Sequence, residues 1–436
     1  MIMRLARWLD SRLGLAKFAR LGLNHIFPDH WSFMLGEVAL YSFVVLVITG
    51  AFLAMFFNAS AAKVVYHGPY EALQGVPMSA AYHSVLDLSF MVPAGLWVRQ
   101  THHWAALVFV GAILAHLLRI FFTGAYRRPR EVNWLIGVTL FILAMLTGFF
   151  GYSVPDDLLS GTGLRIGYSI ALSVPLIGPW LAFLVFGGRV PTDAMIPRLY
   201  GLHIFVLPTI IAVLLALHLS VVWRQLHTNY PGPGRSNQTI VGSRLWPTYI
   251  AKAIGLFFLV FAALAALGGL MQINPIWIYG PYDPAASLPG AQPDWYLGWE
   301  EGALRLFPAV NLHIMGKLVP EVFFPGVLLP LVIFALLYAY PFLERWVTGD
   351  REEHHVLQLP YEQPFRTALG CGVSMFLLVL LFAGGEDVIA VISKASVVTL
   401  RRIFRVLAIV VPFLTAVIVY AACSLLRLRH SSRIRE

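Results

Sequence analysis

Four histidines sit in two long apolar stretches of this 436-residue chain: His102 and His116 in one, His203 and His218 in the other. Ionisable side chains in hydrocarbon are costly, and where they occur they mark functional sites. Their spacing narrows the chemistry. At about 100° per residue, a separation of 14 returns to within about 40° of the starting direction and one of 15 to within about 60°, so each pair shares a helix face. Each pair also spans about 21–22 Å of helix axis, too far to converge on one tetrahedral ion of zinc type. Two such helices can instead clamp two planar cofactors, each iron taking one imidazole from each helix. The spacing therefore points to two non-covalent, bis-His haems. His103 lies 13 residues before His116 and falls about 140° away from it, so His102 is read as the ligand.

A second pattern has the same period. Gly36 and Gly50 in one apolar stretch, and Gly137 and Gly151 in another, are again 14 residues apart, and glycine lets a bulky group approach the backbone. Arg99 precedes His102 by three residues and Arg119 follows His116 by three, which suits each guanidinium to a haem propionate.

The elements that must carry these residues are membrane helices. With 58% apolar, 14% aromatic and 12% charged residues, the composition is far from that of a soluble domain. Apolar runs near 35–57, 98–122, 134–154, 199–223, 249–270, 322–342, 366–384 and 404–426 are each long enough to span a bilayer. The expected fold is all-α: a polytopic bundle of eight transmembrane helices whose first four form the di-haem half. The net charge of +9 comes from Lys and Arg beside these runs, where it sets orientation rather than marking a nucleic-acid partner. The N-terminal tail, Arg127, Arg128 and Arg130, Arg224 to Lys252, and the C-terminal arginines share the cytoplasmic side; the acidic run Asp350–Glu353 follows the alternation. The second and fourth spans then run parallel, which pairs His102 with His203 near the outer face and His116 with His218 near the inner face.

Three segments are expected: residues 1–30 as a cytoplasmic amphipathic lead-in, 31–240 as the di-haem domain, and 241–436 as a C-terminal domain. The Pro- and Gly-rich stretch at 228–238 separates the last two. The basic N-terminus is too interrupted by Arg and Asp to supply a signal-peptide core. Cys371 and Cys423 read as small buried hydrophobes, and no C-x-x-C-H string attaches a c-type haem.

In the segments "TGAFLAM" at 49–55, "RQTHHWAALVFVGAILAHLLRIFFTGAY" at 99–126, "GYSVP" at 151–155, "RLYGLH" at 198–203 and "PDWY" at 293–296, the chain resembles cytochrome b of the bc family, in the family's order and across nearly the whole length. The resemblance implies a low-potential haem near the outer face, a high-potential haem near the inner face and a quinone site beside each. It adds Arg198, in "RLYGLH", to the cofactor-binding candidates. The family's outer quinol motif, usually PEWY, reads Pro293, Asp294, Trp295 and Tyr296 here, followed by Glu300, Glu301 and Arg305. Asp is one methylene shorter than Glu, which leaves Asp294 and Glu301 as alternative proton acceptors, with Glu300 open to reading as a loop charge. Tyr152 and Pro155, with Asp156–Asp157, resemble the opposite wall. For the inner site the candidates are Arg224, His227 and Lys252; Ala253 stands where relatives have an acid. The separation of 15 in the fourth span, "PGPGR" and "YRRPRE" are similar to the actinobacterial branch, which implies menaquinol.

The implied activity is quinol–cytochrome c oxidoreduction in the bacterial cell membrane, contributing to proton-motive force. The implied partners are a Rieske-type iron–sulfur subunit, a cytochrome c-type subunit, membrane lipid and a second copy in a homodimer. Two alternatives were weighed: a proton-coupled transporter, which calls for an internal repeat, and a haem-anchoring cytochrome b without quinol turnover, for which four helices would suffice.

Overall fold

The computed structural model describes residues 2–433 except 15, 17–19, 21, 287, 289 and 315. Among them, eight helices are long and apolar enough to cross a membrane: α1 (Trp31–Ala54), α2 (Gly95–Phe122), α3 (Glu131–Ser153), α4 (Met195–Gln225), α5 (Leu245–Leu270), α6 (Phe324–Thr348), α7 (Pro364–Gly384) and α8 (Val397–His430). Hydrocarbon offers no partner for backbone N–H and C=O, so an apolar run of this length must satisfy them within itself, as a helix does. The chain is a multi-pass membrane protein of the expected class. α8 starts earlier than its apolar pattern suggests. Its first turns carry Arg401 and Arg405, and these are satisfied from outside the helix: Arg401 by the fully buried Glu386, Arg405 by the Leu306 carbonyl at 2.8 Å.

α1 packs on α2, α2 on α3 and α3 on α4, enclosing an apolar core that includes Phe109, Val110, Ile136, Leu140 and Ile211. Tyr296, from the connection between α5 and α6, enters the same core. α5 lies against α1 and α2, α6 against α3, and α7 against α8 and the helix Gly298–Leu306.

The connections gather on two sides. On one, Leu158 N–H donates to Gly280 O at 3.0 Å, Tyr82 Oη to Ile276 O at 3.0 Å, and the Gln100 amide pairs with the Ile273 backbone at 2.9 Å, which joins the α1–α2, α3–α4 and α5–α6 loops. On the other, the α6–α7 loop closes over the α2–α3 loop: Arg128 Nη1 donates to Arg351 O at 3.0 Å and Arg130 Nη1 to His354 O at 2.6 Å, and Arg127 and Arg128 face Asp350 and Glu353. The acidic run therefore lies beside the basic loop that the alternation assigned to its side.

The N-terminal segment begins with the helix Ile2–Leu13 and is then tied down. Ile26–Phe27 pair antiparallel with Ser243–Arg244, and Asn229 bridges to Val356. The stretch at 228–238 is thus crossed by backbone pairing from both flanks, and α5 packs on α1 and α2 across it.

Candidate functional site

The outer histidines meet. The rings of His102 and His203 have centroids 6.1 Å apart. Two imidazoles sharing one metal ion at the usual metal–nitrogen distance of about 2 Å have centroids about 6 Å apart. The tautomers fit as well. Thr49 Oγ donates to Val45 O at 2.6 Å, so at 2.9 Å it accepts from His102 Nδ1–H; His203 Nδ1–H donates to Thr147 O at 2.9 Å. With the proton on Nδ1 in both rings, each Nε2 keeps a lone pair for a metal.

Deeper along the same helices, His116 lies against Gly36 of α1 and His218 against Gly137 of α3. Each of the four histidines also has its own glycine. A Cβ added at Gly36 would stand 3.2 Å from His116 Cε1, and one at Gly50 the same distance from His102 Cε1. At Gly137 it would make an ordinary 3.7 Å contact with His218, whereas at Gly151 it would collide with the His203 ring. The repeated glycines are therefore the places where imidazoles approach the facing helix. Arg99 and Arg119 each have Nε and Nη2 shut from solvent without a hydrogen-bond partner. A buried charge left unpaired costs about 3–5 kcal/mol, so carboxylates carried by a macrocycle fit these two positions. The residues present fit haem.

The fourth span corrects one expectation. Residues Leu202–Val206 form a π-turn, with Leu207 N–H reaching the Leu202 carbonyl five residues back. The wide turn takes up one extra residue, so His203 and His218 are in phase as if 14 apart, at the same offset of about 40° as His102 and His116. Pro208, which has no N–H to continue a regular ladder, is the signal in the sequence.

On the outer side, Tyr152, Gln292, Pro293, Glu300 and Glu301 line a cavity of about 330 Å³ whose walls are otherwise mainly apolar, among them Phe149, Ile170 and Phe334. This is large enough for a small cofactor or substrate. The other residues of the 293–296 motif point elsewhere. Asp294 accepts from Tyr296 Oη at 3.2 Å and contacts His103 Nε2 at 2.9 Å, while Trp295 packs beside Gly111. The aspartate thus joins the loop to α2, and the cavity acids are Glu300 and Glu301. Glu301 pairs with Arg305 at 2.8 Å. Burial first, and the neighbouring Glu301 second, push the Glu300 carboxyl up to about 7. Asp157 is used locally: its Oδ2 accepts from Leu159 N–H at 3.2 Å, capping the helix Leu158–Ser173.

On the inner side, Lys252 has an acid after all, supplied from far back in the chain: Nζ lies 2.7 Å from Asp29 Oδ1. His227 is in an aromatic nest with Phe27 at 4.5 Å and His25 at 5.8 Å, and His25 stacks on Trp223 at 4.4 Å. The Nε2 atoms of His25 and His227 are both buried without a partner. Burial, and then His25 and nearby arginines, pull His227 down to about 4, so it is neutral at physiological pH. Arg224 is exposed at the end of α4. Arg198 does not turn toward the histidines: it donates to Phe183 O at 2.7 Å and Leu184 O at 3.0 Å, capping the helix Gly178–Phe186. Glu300, His25 and Asp29 were not singled out because each acquires its role only when a distant segment covers it.

The profile of the family described as cytochrome b(N-terminal)/b6/petB matches residues 107–281. The cytochrome bc1 complex cytochrome b subunit of Streptomyces coelicolor is 47% identical over 432 residues, covering 99% of this chain and 79% of its own. That of Mycobacterium tuberculosis is 49% identical over 421 residues, covering 96% and 76%. A solved structure, "Hyperthermophilic respiratory Complex III", shares the fold at a TM-score of 0.69 and 20% identity, over 95% of this chain and 99% of that one. With a histidine pair facing across α2 and α4 and close relatives aligned over nearly its whole length, the chain belongs to the cytochrome b subunit family of the cytochrome bc1 complex.

Proposed function

We propose that this chain binds two b-type haems, His102 with His203 and His116 with His218, and works as the quinol-oxidising subunit of a respiratory bc1 complex. The observation that carries this is the facing of His102 and His203 with Nδ1 engaged on both rings. Arg99 and Arg119 hold the propionates, and the haems, when bound, supply the electron path between the two membrane faces.

The outer cavity is the quinol site. Its apolar walls take the ring, Tyr152 and Pro293 bound it, and Glu301 or Glu300 accepts a proton from the quinol hydroxyl. The ion pair with Arg305 supports Glu301 in this role, because it holds the carboxylate in place at the cavity wall. Asp294, Trp295 and Tyr296 act as positioning residues that dock the loop on α2 and α3. The inner site is the nest of His25 and His227 with Lys252 and Asp29, where the ring N–H groups and the ammonium orient a quinone and deliver cytoplasmic protons. The branch of the relatives supports menaquinol as the substrate. The partners are a Rieske-type iron–sulfur subunit and a cytochrome c-type subunit, in a complex that is a dimer.

The test is a dithionite-reduced minus oxidised spectrum of the purified subunit, with haem counted by pyridine haemochromogen. Two b haems are expected, with His102→Ala and His218→Ala each losing one. A folded preparation without haem would overturn the proposal.

A further inference from the structure

The connection between α7 and α8 holds an acid that nothing so far has used. Asp387 lies in the first turn of the helix Glu386–Ser393, which is anchored by the buried Glu386 pairing with Arg401. Its carboxylate turns toward the outer cavity and grips it at two places. Oδ1 accepts from Gln292 Nε2 at 2.7 Å, and Oδ2 lies 3.2 Å from Arg305 Nη2. Arg305 in turn binds Glu301 through Nε at 2.8 Å. Gln292 and Glu301 are both cavity-wall residues, so a residue nearly a hundred positions away in sequence is coupled to both.

We infer that Asp387 is a positioning residue of the outer site: it divides the charge of Arg305 with Glu301 and thereby sets how readily Glu301 takes a proton from bound quinol. This rests on the reading of that cavity as the quinol site. The physical argument is one of competition. A guanidinium offers several N–H groups around one delocalised charge, and the two carboxylates here take different ones, Nε for Glu301 and Nη2 for Asp387. If Asp387 loses its charge, Arg305 belongs to Glu301 alone and a nearby negative charge disappears. Both changes make the Glu301 carboxylate harder to protonate. The other charged and titratable groups around the pair are Glu300 on the same helix, Tyr152 from α3, Asp294 from the preceding loop, and Arg401 and Arg405 from α8. Arg401 and Arg405 are held by Glu386 and the Leu306 carbonyl, and Asp294 by His103 and Tyr296, which leaves Glu300 and Tyr152 as the groups facing the pair without a charged partner of their own among the described residues.

The experiment is steady-state oxidation of a short-chain naphthoquinol by the purified complex between pH 5.5 and 8.5, with haem quantified in every preparation. The variants are Asp387→Asn, Asp387→Glu and Glu301→Gln. Asp387→Asn is expected to keep both haems, to move the acid limb of kcat/KM down by about half a unit to one unit, and to lower kcat severalfold, with Asp387→Glu restoring the position of the limb. An unshifted limb in Asp387→Asn, or a uniform loss that Asp387→Glu does not rescue, would mean that the residue is structural only. If Asp387→Asn loses haem, Asp387→Ser is measured in its place, and haem loss there too overturns the proposal. Full activity in Glu301→Gln would instead show that the cavity reading has failed, a different outcome from failure at Asp387.

Discussion

The two sides of the membrane domain have been built from opposite materials. The outer cavity is walled by loop and helix segments that bring carboxyl groups, Glu300 and Glu301, into a mainly apolar space. On the other side His25 and His227 share an aromatic nest with Phe27 and Trp223, and Lys252 pairs with Asp29 near the strand that carries Phe27. A buried carboxylate can take a proton from a quinol being oxidised, while imidazole N–H groups and an ammonium can lend protons to a quinone being reduced. The same contrast runs through the histidine pairs. The outer pair is fixed by hydrogen bonds from both Nδ1 atoms, whereas His116 Nδ1 has no partner; Gly36 and Gly50 are equally close to their histidines, but Gly151 is tight against His203 where Gly137 leaves room beside His218.

The sharpest way to break the comparison is at the glycines. Gly151→Val should eliminate the outer b-haem signal completely, because its Cβ has nowhere to go but the His203 ring, while Gly137→Ala should retain both haems. Equal loss in the two variants, read from redox difference spectra, would erase the contrast between tight and loose pairs. The next effect is at the cavity acids. Glu301→Gln should slow quinol oxidation by about 10²-fold with haem content unchanged. Burial raises the Glu300 carboxyl to about 7, so its negative charge beside Glu301 is lost as pH falls through that value; the acid fall in rate should therefore have a component near pH 7 that Glu300→Gln removes while leaving the limb that depends on Glu301. The smallest effect belongs to the inner nest. His227→Leu should slow inner-haem reoxidation severalfold and leave outer quinol oxidation in a single turnover unchanged; an effect on the outer reaction would show that the two sites are not separable.

Much of this was legible before any coordinates. Bilayer spans follow from composition, and the histidines could be paired because helix period and depth are local rules that a sequence carries intact. What could not be read is whatever depends on a distant segment closing over a site. Ala253 beside Lys252 looked like a missing acid, yet Asp29 supplies one from just after the strand Ile26–Phe27. Asp294 and Glu301 stood as alternative proton acceptors, and spacing along the chain could not rank them because the contact of Asp294 with His103 joins two distant segments. Glu300 was open to reading as a loop charge, and its burial beside Glu301 is visible only in three dimensions. Even the offset of about 60° in α4 was an artefact of assuming uniform winding.

That wide turn at Leu202–Val206 has a bearing on how such chains can change over time. A membrane helix that anchors something at both ends is ordinarily intolerant of gaining or losing a residue, since everything beyond the change rotates by about 100°. Here the surplus residue is already gathered in one turn. Deleting a single position within it would tighten the turn to ordinary winding and leave both ends facing as before, so this is the place in α4 where lineages can differ in length and still share a partner face.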